Sequence, residues 1–130
     1  MLELPPHFRD VPYNAAHYPG NAAGLREGAN CQHFAFELLR HFGLSVPDFR
    51  SSELWEDEVY SEHVAELAPL DLLLWNHVPE AYGAHVGVFV GSGKAVHLAK
   101  AQGRPVIWPL RAFTETERYR YYLGAKRFKR

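Results

Sequence analysis

The chain has a single cysteine, Cys31, and eight histidines, of which His85 and His97 fall in stretches that read as β-strand. A thiol and an imidazole within reach of each other can carry out nucleophilic acyl chemistry, with the sulfur attacking a carbonyl and the ring managing the proton. Cys31 opens the run Asn30-Cys31-Gln32-His33-Phe34, which reads as the start of a helix. The backbone dipole there favours thiolate over thiol. An unperturbed thiol titrates at about 8.5, and a basic neighbour at a helix start lowers that, so a nucleophile at neutral pH is expected. The alternative for Cys31 is a small, buried, inert residue. For a histidine in a strand, the alternative is a residue tolerated at a sheet edge.

The elements that must position these groups follow from pattern. Asn30 is a suitable N-cap, because its side-chain oxygen can accept an amide hydrogen of the first turn. Phe34, Leu38 and Phe42 recur four apart with Ala35 and Leu39 beside them, which makes an apolar stripe, and Gly43 supplies a helix end. A helix is therefore expected over 30–42. Residues 1–29 are rich in Pro, Gly, Asn and Ala and read as an irregular segment with at most a short helical turn. So long a lead-in must wrap something. After a proline-containing connection at 44–50, Ser51-Ser52-Glu53 opens a second helix, expected to run to about Leu67 and to close at Pro69.

From Leu70 the texture changes to β, with strands expected at 70–75, 84–91, 94–99, 104–110 and 119–128. In the second of these Ala84, Val86, Val88 and Val90 share one face, while His85, Gly87 and Phe89 share the other. The glycines let another element approach the His85 face closely. A two-residue Ser92-Gly93 turn would pair Gly91 with Lys94 and send His97 to the valine face. A longer loop or a bulge reverses the parity and brings His97 to His85. The glycines permit either. In the second case Cys31, His85 and His97 form nucleophile, base and orienter, with the Cys31 N–H free to donate to an oxyanion. The order of elements predicts an α+β fold with helices packed on one side of an antiparallel sheet of about five strands. One domain is expected over 1–130, irregular at 1–29, helical at 30–68 and sheet at 69–130.

Composition narrows the classes further. The 130 residues are 47% hydrophobic and 22% charged, as in ordinary globular domains. The net charge of -1 gives no global field for nucleic acid. One cysteine excludes an internal disulfide and a cysteine-based zinc cluster. The histidines lack helical metal-ligand spacing, so neither metal nor organic cofactor is expected. No signal peptide opens the sequence, and no apolar run reaches the roughly 18 residues of a membrane span. As written the chain is expected to be cytoplasmic, with export by a non-classical or lytic route as the alternative. Charge is uneven: residues 111–130 carry seven Lys or Arg against Glu115 and Glu117, and the stretch from Asp48 to Glu66 carries seven acids against Arg50. Two solvated surfaces of opposite sign are expected, with an anionic ligand at the basic end as the second option.

Asn30-Cys31 opening an apolar helix, then Pro69-Leu70-Asp71-Leu72-Leu73-Leu74-Trp75, then His85-Val86-Gly87-Val88-Phe89-Val90-Gly91 and Ala95-Val96-His97, resemble in that order the NlpC family of papain-like cysteine peptidases. The similarity covers about residues 18–100. It implies a papain-like fold with the nucleophile at a helix N-terminus, and hydrolysis of amide bonds, typically in bacterial cell-wall peptides. By this resemblance Tyr18 matches a tyrosine that assists the oxyanion, although the Trp-Gly-Gly that usually follows is absent. The family's Asp-Cys-Ser-Gly is replaced by Asn30-Cys31-Gln32-His33, which puts Asn30 and Gln32 where residues that help recognise the substrate amine stand. Leu70 replaces the usual Gly, a change expected to be harmless. Asn-Cys-Gln-His-Phe is also similar to the Asn-Cys-Glu-His-Phe of lecithin:retinol acyltransferase-like proteins, in which the histidine precedes the cysteine; here the order is unpermuted.

Of the remaining candidates, His33 lies about 200° round the helix from Cys31 and is a poor base for it, expected at the surface or a pocket rim. Trp55, Trp75 and Trp108 are expected in the core rather than lining a cleft. The combined expectation is a cysteine hydrolase acting through Cys31, His85 and His97, with Tyr18, Asn30 and Gln32 serving the oxyanion or substrate. Its substrate would be a peptide or a small acyl-containing molecule. The alternatives are an acyltransferase or thioesterase on the same site, or a non-catalytic domain that binds a peptide or protein in the same cleft. Oligomeric state stays open.

Overall fold

The computed structural model describes residues 1–21 and 23–130. Its helices are α1 (Cys31–His41), α2 (Ser51–Glu56) and α3 (Leu110–Thr114). Its strands are β1 (Ser61–Val64), β2 (Leu72–Asn76), β3 (His85–Gly91), β4 (Lys94–Leu98), β5 (Pro105–Pro109) and β6 (Tyr121–Phe128). They form one antiparallel sheet in the order β1-β6-β2-β3-β4-β5. The architecture is α+β, with the cysteine as the first residue of α1.

Helix α1 forms for the reasons its sequence suggests. The Asn30 side chain accepts the His33 N–H at 2.8 Å. At the other end Gly43 is left-handed, with φ of 89°. Its N–H donates to the Arg40 carbonyl and that of Leu44 to the Leu39 carbonyl, a Schellman closure. Phe34, Ala35, Leu38 and Leu39 are buried, whereas Phe42 sits past the last turn and is exposed. The irregular lead-in does wrap the core, burying Leu4, Phe8 and Val11 in it.

The second helix departs from expectation. It begins at Ser51, with the Glu53 carboxylate accepting the Arg50 N–H at 2.8 Å, but stops at Glu56 rather than near Leu67. Asp57 is the cause: its carboxylate accepts from the N–H groups of Tyr60 and Ser61 and from the Ser61 hydroxyl. This local turn competes with helix continuation. The chain then enters β1, a sixth strand inside the stretch expected to be helical. Nor is the sheet a plain meander, since β6 returns to lie between β1 and β2.

That return brings the acidic and basic segments together. Glu62 lies opposite Arg127 in the β1–β6 ladder. Arg127 holds the buried carboxylate of Asp71 through two bonds of 2.8 and 2.9 Å. The buried Lys126 ammonium donates to the carbonyls of Trp55 and Asp57, and Lys129 donates to that of Glu58. Across this strand pair Glu62 and Arg127 stand opposite each other, while Arg111, Arg118, Arg120 and Arg130 stay exposed.

The sheet is covered on both sides. Leu72, Leu74, Val86, Val88, Val90, Val96 and Leu98 face α1, with Leu54 of α2 in the same core. Leu73, Trp75, Phe89, Ala95 and Ala125 form a second core with Phe113 of α3 and with Tyr119. Thus α1 and α2 pack on one side, and α3, in a stretch expected to be only a connection, covers part of the other. Among the described residues, no helix is long and apolar enough to cross a membrane.

Candidate active site

The β3–β4 hairpin settles where His97 points. Gly91 pairs with Lys94, as a two-residue turn requires, but Phe89 then pairs with Ala95 and Val88 with Val96. The shift between Phe89 and Gly91 leaves Val90 as the extra residue of a bulge, which reverses parity along the rest of the ladder. His97 therefore lies on the face of His85, beside Gly87. A Cβ on Gly87 would come within 3.0 Å of the Trp75 ring and 3.2 Å of the Val96 carbonyl, so a side chain there would displace the wall on which His97 rests.

His85 is the first residue of β3, where the sheet ends and its two faces meet. Its Nε2 lies 2.8 Å from Nδ1 of His97. The ring of His85 stacks on Tyr119, with centroids 4.3 Å apart and planes 20° apart. His97 is fully buried between Trp108 and Phe113, at centroid distances of 4.3 and 4.6 Å. Its Nε2 has no conventional partner among the described residues. The Trp108 and Phe113 rings pack against this imidazole at interplanar angles of 63° and 60°. The 2.8 Å contact needs one nitrogen to donate and the other to accept, and one assignment puts hydrogen on Nε2 of His97. Nδ1 of His97 then accepts from Nε2–H of His85, which leaves Nδ1 of His85 as an unprotonated base.

Cys31, His85, Tyr13, Tyr119, Leu98 and Ala99 line one cleft of about 630 Å³. Burial pushes the Cys31 thiol above its ordinary value, against a smaller downward pull from the backbone N–H groups of Val86, Gln32 and Cys31. Burial also holds His85 well below the ordinary imidazole range, and the neighbouring His97 and Arg118 add to that. His97 is lowered to about 4 by burial. This corrects the sequence expectation for Cys31. The helix start does contribute, but desolvation outweighs it, and both the thiol and the imidazole are held toward their neutral forms.

The other expected site residues lie elsewhere. The Asn30 oxygen is spent on the helix cap, and Gln32 is buried with its amide donating to the Phe49 carbonyl at 2.9 Å. Tyr18 is 42% exposed and lines a second cavity, with Asn30, Gln32, Arg50, Ser52 and Tyr82, that meets the first at Gly83. The tyrosine beside the cysteine is Tyr13, whose hydroxyl is shifted upward by burial and by Cys31. It is held there by an isolated bridge to Ala29 and by its N–H donating to the Gly103 carbonyl. Nothing in the local sequence distinguishes Tyr13 from Tyr18; the bridge that places it is made by loop backbone. Trp108, expected in the core, is half-buried; it pairs with Ala95 and so shares the His97 face. His33 is fully buried, not at a rim, and its Nε2 lies 2.8 Å from the Gly24 carbonyl, tying the lead-in to α1.

The fold has known counterparts. An NlpC/P60 family protein from Bacillus cereus superposes on this chain with a TM-score of 0.68 and 25% identity, over 93% of this chain and 36% of that one. The fold is that of the NlpC/P60, papain-like superfamily. The P60 domain of an antigen of M. avium subspecies paratuberculosis is also similar, with a TM-score of 0.52 and 17% identity over 79% of this chain and 77% of that domain. This chain thus spans about a third of the length of the Bacillus cereus protein. No protein-family model and no curated relative matches the sequence. Leu70, which the resemblance set against a glycine, has φ of 79°. A leucine in that left-handed region carries a cost of about 1–2 kcal/mol, which its burial offsets.

Proposed function

We propose that the chain is a cysteine hydrolase in which Cys31 attacks the carbonyl of an amide, His85 moves the proton and His97 positions His85. The observation that carries this reading is the 2.8 Å contact of His85 with the buried His97, where His85 lines one cleft with a cysteine at a helix start. As Sγ of Cys31 approaches the carbonyl carbon, its proton passes to Nδ1 of His85. The imidazolium formed is stabilised through Nε2–H donating to His97, which burial keeps neutral and accepting. The tetrahedral oxyanion takes the Cys31 N–H and the Tyr13 hydroxyl as donors. Collapse breaks the C–N bond, and His85 returns its proton to the leaving amine. Water then attacks the thioester, again through His85, releasing acid and thiol.

The two cavities that meet at Gly83 leave room for both halves of a peptide, which supports a cell-wall-type peptide as substrate. The family resemblance supports the same class. Asn30 and Gln32 are committed to backbone, so recognition in the second cavity falls to Tyr18, Arg50 and Tyr82.

An activated ester tests the acylation step directly. With p-nitrophenyl acetate, the reading predicts a burst of one nitrophenol per chain and an acetyl thioester at Cys31 seen by mass spectrometry. Both should be lost in Cys31→Ser and in His85→Gln. A native protein with neither burst nor adduct contradicts it.

A further inference from the structure

The imidazolium that His85 becomes during attack has to be stabilised in a dry setting, and no carboxylate is free to do it. Among the described residues Glu117 is the only carboxylate lining the Cys31 cleft, and it pairs with Arg120. The titratable and charged groups facing His85 are His97 of β4, Arg118, Cys31 of α1 and Tyr13 of the lead-in. His97 offers one hydrogen bond, whereas burial and Arg118 both act against a positive ring. One more group meets His85 directly. The Tyr119 ring lies face to face with the imidazole, with centroids 4.3 Å apart and planes 20° apart. Trp75, by comparison, is 6.4 Å away and tilted. Tyr119 is buried and braced from the end of α3: its N–H donates to the Thr116 carbonyl, and the Thr116 hydroxyl donates to the Ala112 carbonyl at 2.8 Å. Phe113 and Trp108 back its ring, at centroid distances of 6.1 and 6.4 Å.

We propose that Tyr119 is a positioning residue for His85: its ring face fixes the imidazole plane and stabilises the imidazolium that forms as Cys31 gives up its proton. An aromatic face attracts a cation held within about 6 Å of its centroid. The neutral imidazole gains only the stacking of two rings. That difference matters, because an interaction helps the proton transfer only if it is stronger in the charged state. The proton taken from Sγ then stays on a ring that Tyr119 covers until it passes to the leaving amine. The face does this work and the hydroxyl does not, so phenylalanine should serve as well. The inference rests on the pairing of Cys31 with His85 in the hydrolase reading above.

Alkylation of Cys31 by iodoacetamide at neutral pH, in the full chain, reads the thiolate–imidazolium pair without turnover. Tyr119→Phe is expected to keep the native rate. The decisive series is Tyr119→Phe carrying one, two and three ring fluorines, which withdraw charge from the face and change its shape little. Across that series the alkylation rate should fall stepwise, by about tenfold in all. Melting temperatures should show no matching trend, which separates the charge of the face from its packing. A rate indifferent to fluorination, or one that falls only in step with the melting temperature, overturns the proposal. So does a loss in Tyr119→Phe as large as in the fluorinated series, which would assign the effect to the hydroxyl. In each of these cases a native rate that still collapses in His85→Gln leaves the pairing of Cys31 with His85 standing. A native rate that His85→Gln leaves unchanged overturns both.

Discussion

The two faces of the central strands are built from alternate residues of the same sequence, yet they do different work. Toward α1, strands β2, β3 and β4 present Leu72, Leu74, Val86, Val88, Val90, Val96 and Leu98, an aliphatic surface whose role is volume. Toward α3 they present Trp75, Phe89 and His97, against Trp108, Phe113 and Tyr119. Trp75 stacks on Phe113 at 3.9 Å, and Phe113 in turn flanks His97. An aliphatic layer can hold a helix but cannot satisfy a buried imidazole. The aromatic layer supplies a stacking partner for His85 and a dry setting that keeps both rings neutral. Cys31 comes from the first side and His85 from the second, and they meet only at the strand ends.

The largest effects should come from the junction. His85→Gln is expected to lower hydrolysis by about 10³-fold or more while leaving the melting temperature nearly unchanged, because members of such a unit contribute together. Activity assays beside thermal melts check it. The next pair breaks the two faces separately. Leu74→Ala on the aliphatic side should cost about 2–5 kcal/mol in denaturant unfolding with little change in kcat of the folded fraction. Phe113→Ala should cost about 3–5 kcal/mol and also lower kcat, since it removes one wall of the His97 site. If both variants lose only stability, the aromatic face has no positioning role.

The faces should also differ in pH response. His97 is held at about 4, below its ordinary value of 6.5. Between those values the unfolded chain binds the proton that the folded chain refuses. The stability due to neutral burial is therefore fully present above about pH 6.5 and is lost as the pH falls toward 4. His85, depressed for the same reason, acts in the same direction. Denaturation midpoints across that window should fall in the native protein and fall less in His97→Asn. The smallest effect expected is at Leu70, in the aliphatic core. Leu70→Gly relieves about 1–2 kcal/mol of left-handed strain but gives up about 1.5–3 kcal/mol of burial. A net loss of about 1 kcal/mol with unchanged kcat should appear in urea titrations.

Much of this was legible in the sequence, and the gaps have physical causes. Period and caps define α1 to within a residue, because Asn30 and Gly43 act locally. The strands were legible from alternation, apart from β1. That strand escaped because Asp57, which ends α2, does so through side-chain bonds to residues ahead of it, and because Ser61–Val64 pairs with β6 at the far end of the chain. The parity argument reduced the position of His97 to two alternatives, and a one-residue bulge at Val90 chose between them, which is a packing event with no local signature. Tyr13 was invisible for a related reason: long-range backbone bonds, not spacing from Cys31, bring it to the cleft. The direction of the thiol shift depends on burial, which a helix-start argument omits.

The most direct test of the central claim is the rate of Cys31 alkylation by iodoacetamide from about pH 4 to about pH 10, in the native chain and in His85→Gln. A neutral thiol and imidazole that share one proton on attack predict a plateau, reached above the lowered His85 titration and flat through neutrality. In His85→Gln the plateau should vanish, leaving only an alkaline limb above the ordinary thiol range, because burial raises the Cys31 thiol. A single alkaline limb in both proteins would contradict the pairing of Cys31 with His85.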